Sequence, residues 1–396
     1  MKPLAARARA LTQSDIRAVT FEANAAGALN LGQGICDLGV PDPIVRGVEE
    51  ALHAGKSIYT AYNGVAPLRE AIAGKAQAFN QIPIAGPENV AVSAGSTGAF
   101  VSTVLALCEA GDEVVLFEPF YGYHSGILNL YGVAPVGVPL AAPTEAHPRW
   151  AFDPERLAAA ITERTKAVLV CTPANPSGKM WTHEELGALY EIAERHDLWV
   201  ITDEIYEHMT YDGREHLSPA SLPGAFERTV TISGFSKTFN VTGWRLGYAV
   251  APAALAETMG LVSDLVYICA PAPLQHGLAA ALPMPEAYYR QMLADYAAKR
   301  EMMVGALRDC GFSIAPPEGA YYAFTHLGSR LGTPGFGDAH EATQTLIHEA
   351  GVGCVPGPSF FSDPADGMAY LRFCYAKEMS VLEEACRRLR AHFGVA

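Results

Sequence analysis

Lys237 lies in the stretch S-G-F-S-K-T-F-N, residues 233 to 240, and is one of only eight lysines in 396 residues. No acidic residue stands beside it. A lysine held in a dry pocket has its ammonium pKa lowered, which frees the amine to act as a nucleophile and base; an ordinary loop lysine would satisfy the same stretch. Asp203 closes the apolar run W-V-I-T-D, where a carboxylate needs a cationic partner, and Tyr206 follows three residues later. Tyr206 reaches the same side if the chain turns helically there; an acid that merely caps a helix is the alternative. Asn175 precedes a proline in T-P-A-N-P-S-G-K, after another apolar run, a pattern that alone marks only a turn. In S-A-G-S-T-G-A-F a strand ends at Ser93, small residues including Gly95 turn the chain, and a helix opens. Backbone N–H groups and the hydroxyls of Ser96 and Thr97 would face an anion at that positive helix end, unless this is a plain strand-to-helix turn. Arg245, in W-R-L-G, could add a bidentate phosphate contact.

Arg372 sits at the centre of A-Y-L-R-F-C-Y-A, with Leu371 and Phe373 on the opposite face of a strand. It needs an anion, either a substrate carboxylate or one of the chain's 42 acids in a structural ion pair. Tyr121, in E-P-F-Y-G-Y-H, offers an aromatic face after a strand. Together these groups match the needs of pyridoxal phosphate: a lysine for its aldehyde, an acid for its pyridine nitrogen and donors for its phenolic oxygen. The cofactor also calls for a ring to stack on and a cradle for its phosphate.

These residues must be placed by a common scaffold. Short apolar, β-rich runs recur at Val90–Ser93, Glu113–Phe117, Ala167–Cys171, Trp199–Thr202, Thr229–Ser233 and Leu246–Val250. Helical patterns separate several of them. One starts at Thr97; another, T-H-E-E-L-G-A-L-Y-E-I-A-E-R-H, opens on a Thr182/Glu185 capping box. Continuous apolar strands alternating with helices indicate a largely parallel sheet covered on both faces, with ligands beyond the strands' carboxyl ends. Pro283 and Pro285 then punctuate the chain. A long helix follows from about Glu286 to Cys310, then the strands G-A-Y-Y-A-F and A-Y-L-R-F-C-Y-A and a last helix from about Ser380. The expected fold is α/β: a large domain over residues 46–285, and a smaller α+β domain formed by residues 1–45 and 286–396.

Composition narrows the function. The formal charge of −14 argues against nucleic acid and against an anionic membrane surface. Eight scattered cysteines form no C-x-x-C pair and twelve histidines no H-x-x-x-H pair, so no metal site is signalled. G-Q-G-I-C-D from Gly32 and S-G-K-M around Lys179 both fall short of the nucleotide-binding motifs they approach. The N-terminal stretch lacks the apolar segment of a signal peptide, and no apolar run approaches membrane-spanning length. A cytoplasmic protein is expected.

The order N-P-x-G, D-x-x-Y, S-K, W-R-x-G-Y and a late L-R-F resembles the fold-type I, class I/II aminotransferases over nearly the whole chain. Within them, D-E-I-Y-E-H-M through S-G-F-S-K-T-F is most similar to the kynurenine, glutamine and methionine aminotransferase branch. The resemblance implies a seven-stranded, mostly parallel sheet between helices and a homodimer with shared active sites. It implies that Lys237 carries the cofactor as an internal aldimine, that Asp203 pairs with the pyridinium nitrogen, and that Tyr206 and Asn175 hold the phenolic oxygen. Tyr121 would stack on the ring, while Gly95, Ser96, Thr97 and Arg245 would bind the phosphate. Arg372 would clamp the substrate carboxylate, helped by Asn175 and the backbone at Gly34. Tyr59 would reach the neighbouring subunit's phosphate, and Tyr267 would line the neighbour's pocket.

Gly234 departs from the pattern, standing where many relatives place a phosphate-binding serine; Ser233 or Ser236 is expected to compensate. Some dicarboxylate-specific relatives carry a lysine where this chain has Thr97. The implied reaction is transfer of an amino group from a neutral, aromatic or sulfur-containing L-amino acid to a 2-oxo acid. Aspartate aminotransferase and C–S β-lyase are the alternatives within the same cofactor chemistry. A cofactor-sensing regulator is the alternative outside it, and no basic DNA-binding region precedes the core.

Overall fold

A computed structural model describes residues 2–9, 13–34, 36 and 38–395. Twelve strands are present among them: β1 Leu29–Asn30, β2 Val90–Ser93, β3 Glu113–Glu118, β4 Ala134–Pro139, β5 Thr165–Cys171, β6 Trp199–Asp203, β7 Thr229–Gly234, β8 Gly247–Val250, β9 Tyr322–His326, β10 Val352–Gly353, β11 Val355–Pro356 and β12 Tyr370–Cys374.

Strands β2 to β8 form one sheet in the order β2-β8-β7-β6-β5-β3-β4. Six of them run the same way and β8 runs against both its neighbours. Its burial explains the apolar runs. Val114, Leu116, Ala167, Leu169 and Ile201 pack on one face, and Val115, Phe117, Val168, Val170 and Val200 on the other. With both faces covered, alternation in polarity disappears while alternation in direction remains. Each such Val or Leu contributes about 1.5–3 kcal/mol by leaving water.

The reversed strand has a consequence for the site. Six strands deliver their carboxyl ends to one edge of the sheet, and β8 delivers its amino end there. Arg245, two residues before β8, therefore meets Ser93, Asp203 and Gly234 at a single edge.

Strand β4 is the element that the apolar pattern leaves out. It lies at the sheet's edge, begins Ala134-Pro135 and ends on Pro139, and only Val138 in it is buried. Proline cannot donate to a ladder, so it is tolerated at an edge and disguises the strand in sequence. The helix expected from Thr97 begins two residues earlier, at Gly95, whose φ of +75° makes the tight exit from β2. The Thr182/Glu185 capping box forms as the sequence predicts, with reciprocal bonds of 3.0 and 3.1 Å.

After the helix Glu286–Asp309, β9, β11 and β12 make a second sheet in the order β11-β12-β9. Its core joins Met303 and Leu307 of that helix to Leu371 and Phe373 of β12, and to Leu382 and Leu389 of the closing helix Met379–His392. The N-terminal segment joins this region: β1 pairs with β10, and the Cys374 N–H donates to the Leu31 carbonyl at 2.7 Å. No helix of the described residues is long and apolar enough to cross a membrane.

Candidate active site

Lys237 lies three residues beyond β7 and points at the amino-terminal segment, where its Nζ donates to the Gly34 carbonyl at 3.1 Å. The ammonium also lies 5.5 Å from the centre of the Tyr321 ring. No carboxylate pairs with it among the described residues. Burial therefore dominates its titration and lowers its pKa to about 8; Cys374, Cys36 and Asp203 pull it weakly upward, and Arg372 adds to the lowering.

Asp203, at the end of β6, finds its partner in His124, whose Nε2 lies 3.1 Å from Oδ2. Its other oxygen accepts from the Ile205 N–H at 3.3 Å. His124 belongs to the first turn of the helix Gly122–Tyr131, three residues after Tyr121, and the two rings meet edge to face at 5.3 Å. In sequence His124 is visible only as the last residue of E-P-F-Y-G-Y-H; its i, i+3 spacing from Tyr121 at a helix start is the signal that sets it beside that ring.

The chain turns at Glu204–Met209, as Tyr206 requires, and the Tyr206 hydroxyl donates to that of Tyr322 at 3.2 Å. Burial raises the Tyr206 pKa well above its ordinary value, so this hydroxyl keeps its proton. Arg372 is 1% exposed at the centre of the small sheet. It donates to the Asn175 side-chain oxygen at 2.9 Å and to the Gly32 carbonyl at 2.7 Å, while its Nε has no partner. Its guanidinium faces the Tyr322 ring at 4.3 Å and the Phe360 ring at 5.0 Å. Among the described residues no carboxylate pairs with it, so the structural ion pair that the sequence left open is not formed. The Gly34 carbonyl, two residues beyond Gly32 along the same segment, is shared by Lys237 and the Tyr321 hydroxyl, the latter at 3.0 Å.

The turn at Gly95 opens a thirteen-residue helix with no side-chain cap on its first N–H groups. Ser96, Thr97, Tyr121, His124 and Asp203 line one small cavity in front of it. Arg245 adopts a left-handed φ of +54°, which turns its guanidinium against Gly95, where any side chain would collide with it. A side chain at Gly247 would likewise strike the backbone of Gly95 and Ser96. Uncapped N–H groups, two hydroxyls and an arginine thus converge where an anion would sit.

Gly234 has a geometric reason: it pairs with Gly247 across β7 and β8, and a side chain would be squeezed 3.0–3.2 Å from Gly247, Leu246 and Ile205. Ser233 does not replace the missing hydroxyl. Its Oγ donates to Glu207 at 2.8 Å, on the other side of the strand. Ser236 is the remaining nearby hydroxyl.

Tyr267 closes the helix Ala253–Tyr267. Its hydroxyl accepts from the Ala94 N–H at 3.4 Å and donates to Ser263 at 2.8 Å, beside the anion turn of its own chain. Tyr59 is 77% exposed. The residues fit pyridoxal phosphate by their chemistry: an unpaired amine, a buried acid backed by histidine, a hydroxyl donor, an orphaned guanidinium N–H and an anion turn.

These features, on a sheet of this topology, define a pyridoxal-phosphate-dependent transferase. The family model for aminotransferase class I and II matches residues 26–389, and the chain belongs to that family. It is 35% identical to a probable N-succinyldiaminopimelate aminotransferase of Mycobacterium tuberculosis, over 92% of each chain. It is 33% identical to the methionine aminotransferase of Escherichia coli, over 92% of each, and 34% identical to the aspartate aminotransferase of Bacillus subtilis, over 98% of each. The solved structure of the Mycobacterium tuberculosis N-succinyldiaminopimelate aminotransferase superposes with a TM-score of 0.92, at 33% identity, covering 98% of this chain and 100% of that one. The protein is an aminotransferase that uses pyridoxal phosphate.

Proposed function

We propose that Lys237 is the cofactor-bearing lysine and proton carrier of an aminotransferase acting on neutral, aromatic or sulfur-containing L-amino acids, with a 2-oxo acid as acceptor. The carrying observation is the Lys237 amine, which is drawn out of water, donates to the Gly34 carbonyl and pairs with no carboxylate among the described residues. When bound, pyridoxal phosphate supplies an electron-withdrawing ring that makes the substrate Cα acidic. With its pKa lowered to about 8 by burial, Lys237 is neutral near pH 7 far more often than an ordinary lysine. The neutral amine would take the proton from the substrate Cα and hand it to the cofactor carbon that had carried the aldehyde, so that the amino group stays with the cofactor when the 2-oxo acid leaves.

Asp203, held by His124, would keep the ring nitrogen protonated through charge pairing. Tyr206 and Asn175 would donate to the phenolic oxygen, and Tyr121 would cover the ring. Gly95, Ser96, Thr97 and Arg245 would hold the phosphate, with Tyr59 of a second copy. Arg372 would bind the substrate carboxylate, for which its partnerless Nε is a ready donor.

The substrate class is supported by the aromatic surroundings of Arg372, by Thr97 in place of a cation at the helix opening, and by the methionine aminotransferase relative. A panel of amino donors, scored by loss of the yellow absorbance in a single half-reaction, tests it. Methionine, phenylalanine or another neutral donor reacting fastest supports the reading. Aspartate reacting fastest replaces it with aspartate aminotransferase, and pyruvate with ammonia from a cysteine conjugate replaces it with a β-lyase.

A homodimer is proposed on the exposed apolar surface around Tyr59. Ile58 and Tyr59 are each 77% exposed and Leu265 is 89% exposed. The two regions are neighbours, since Tyr62 donates to Glu257 on the helix Ala253–Tyr267. A patch of this character on a protein surface marks an interface.

A further inference from the structure

Tyr322 is not among the residues that the motifs point to, yet it stands between Tyr206 and Arg372, two of the groups proposed to act. It opens β9, is 3% exposed, and its ring covers the Arg372 guanidinium at 4.3 Å. Its hydroxyl receives the Tyr206 hydroxyl at 3.2 Å and occupies the space that a side chain at Gly34 would fill. Its placement is enforced from behind. Ala320, two residues earlier, is held at φ +61°, with its N–H on the Met209 carbonyl at 2.9 Å. The Ala320 carbonyl accepts from two buried hydroxyls, Tyr211 at 2.5 Å and Tyr375 at 3.1 Å. A non-glycine residue in that region costs conformational energy, which the surrounding bonds must offset. The neighbouring Tyr321 is anchored separately, on the Gly34 carbonyl.

We infer that Tyr322 is a positioning residue whose hydroxyl backs Tyr206, forming a two-hydroxyl chain that ends on the cofactor's phenolic oxygen. The inference rests on the proposed role of Tyr206. A hydroxyl donates one hydrogen bond and accepts two. Tyr206 spends its proton on Tyr322 here; once it turns that proton to the phenolic oxygen, its own oxygen is left free to accept, and Tyr322 is the hydroxyl within reach. Hydrogen bonds in such a chain polarise one another, so a Tyr206 that accepts from Tyr322 is the stronger donor to the phenolic oxygen. A stronger donor favours the form in which that oxygen carries full negative charge. Tyr322 would thereby lower the pH at which the lysine-bound cofactor loses its proton.

The test is a pH titration of the visible absorbance of the cofactor bound to Lys237, in wild type, Tyr322→Phe, Tyr206→Phe and the double variant. Tyr121, Asp203, Arg372, Cys374 and Tyr321 face the two hydroxyls and are unchanged throughout, so the midpoint reads the hydroxyls alone. Tyr322→Phe keeps the ring over Arg372 and is expected to raise the midpoint by about 0.5–1 pH unit, the worth of one hydrogen bond. In the Tyr206→Phe background the same change is expected to have no further effect, because the link between the two is gone. A Tyr322→Phe midpoint equal to wild type overturns the inference, and so does a KM increase with the midpoint unmoved, which would put the hydroxyl on the substrate. Failure of Tyr206→Phe to move the midpoint would instead remove the role assigned to Tyr206. If Tyr322→Phe does not fold, a ring-fluorinated tyrosine at position 322 keeps the shape while making its hydroxyl a stronger donor, and is expected to lower the midpoint; an unmoved midpoint overturns the inference.

Discussion

Two lysines meet at the segment Gly234–Phe239, Lys237 within it and Lys75 behind it, and they are opposites. Lys237 looks into the site at Gly34 and has no carboxylate partner among the described residues. Lys75, on the helix Ala66–Ala78, looks into a cavity of about 490 Å³ behind the same segment, lined by Gly234, Phe235, Thr238 and Phe239, and forms an ion pair with Glu207. Both are drawn out of water, which lowers a lysine's pKa. Beside Lys75, however, the Glu207 carboxylate and the Tyr248 hydroxyl outweigh that effect and hold the pKa above its ordinary value. Burial pushes Glu207 up, but Lys75, His208, His216 and Asn80 bring it down to about 2. Glu204 and His216 extend this cluster, bonded to each other at 2.7 Å. Burial without a partner yields a reactive amine; burial with one yields a structural charge.

Removing each lysine should therefore fail in a different way. Lys237→Ala is expected to lower the rate of amino transfer by at least about 1,000-fold, measured in a single half-reaction, with folding intact. Wild-type turnover in that variant would place the reactive amine elsewhere.

Lys75→Met is expected to destabilise the protein by about 3–5 kcal/mol in urea denaturation, because Glu207 is left buried and unpaired. Changing Glu207→Gln as well should recover much of the loss. The pair's pH dependence has a definite sign. Glu207 has a lowered folded pKa, so its stabilisation is present above pH 4.5 and is lost as the pH falls through that value toward about 2. Lys75 has a raised one, so its share is present below pH 10.5 and lost above.

His124→Asn removes the Asp203 partner from the active side of the comparison without touching either lysine. A loss of about 10–100-fold in transfer rate is expected, the worth of a hydrogen bond to a charged group. An unchanged rate would mean that Asp203 needs no backing.

The smallest effect is the most diagnostic in sign. In cofactor-free protein, Lys237→Met is expected to stabilise the fold at pH 7 by on the order of 1–3 kcal/mol. The folded pKa of about 8 lies below the unfolded value of 10.5, so the charged lysine costs stability below pH 8. That cost fades between pH 8 and 10.5, and with it the advantage of methionine. Urea titrations across that range measure it, and a destabilised Lys237→Met at pH 7 would contradict the contrast with Lys75.

How far the site could be read from residues alone varied with the kind of contact involved. Lys237, Asp203, Tyr206, Asn175 and Arg245 follow apolar runs or close turns, so strand ends located them. Arg372 was conspicuous as a charge in an apolar strand. His124 and Tyr322 were hidden because each looks like an ordinary aromatic-cluster residue until the fold brings together partners 79 positions apart, His124 and Asp203, or 116 apart, Tyr206 and Tyr322. The Ser233 substitution for a hydroxyl at Gly234 failed for a related reason: successive strand residues point to opposite faces, so Ser233 serves Glu207. Strand β4 was masked by its prolines, and the helix start by the turn at Gly95.

The central claim is that one amine among eight lysines bears the cofactor. Borohydride reduction of the yellow protein, followed by peptide mass mapping, tests it most directly. The added mass is predicted on the peptide containing Lys237 and on no other. Label on Lys75, Lys179 or any other lysine in its place, or none at all, would contradict the account.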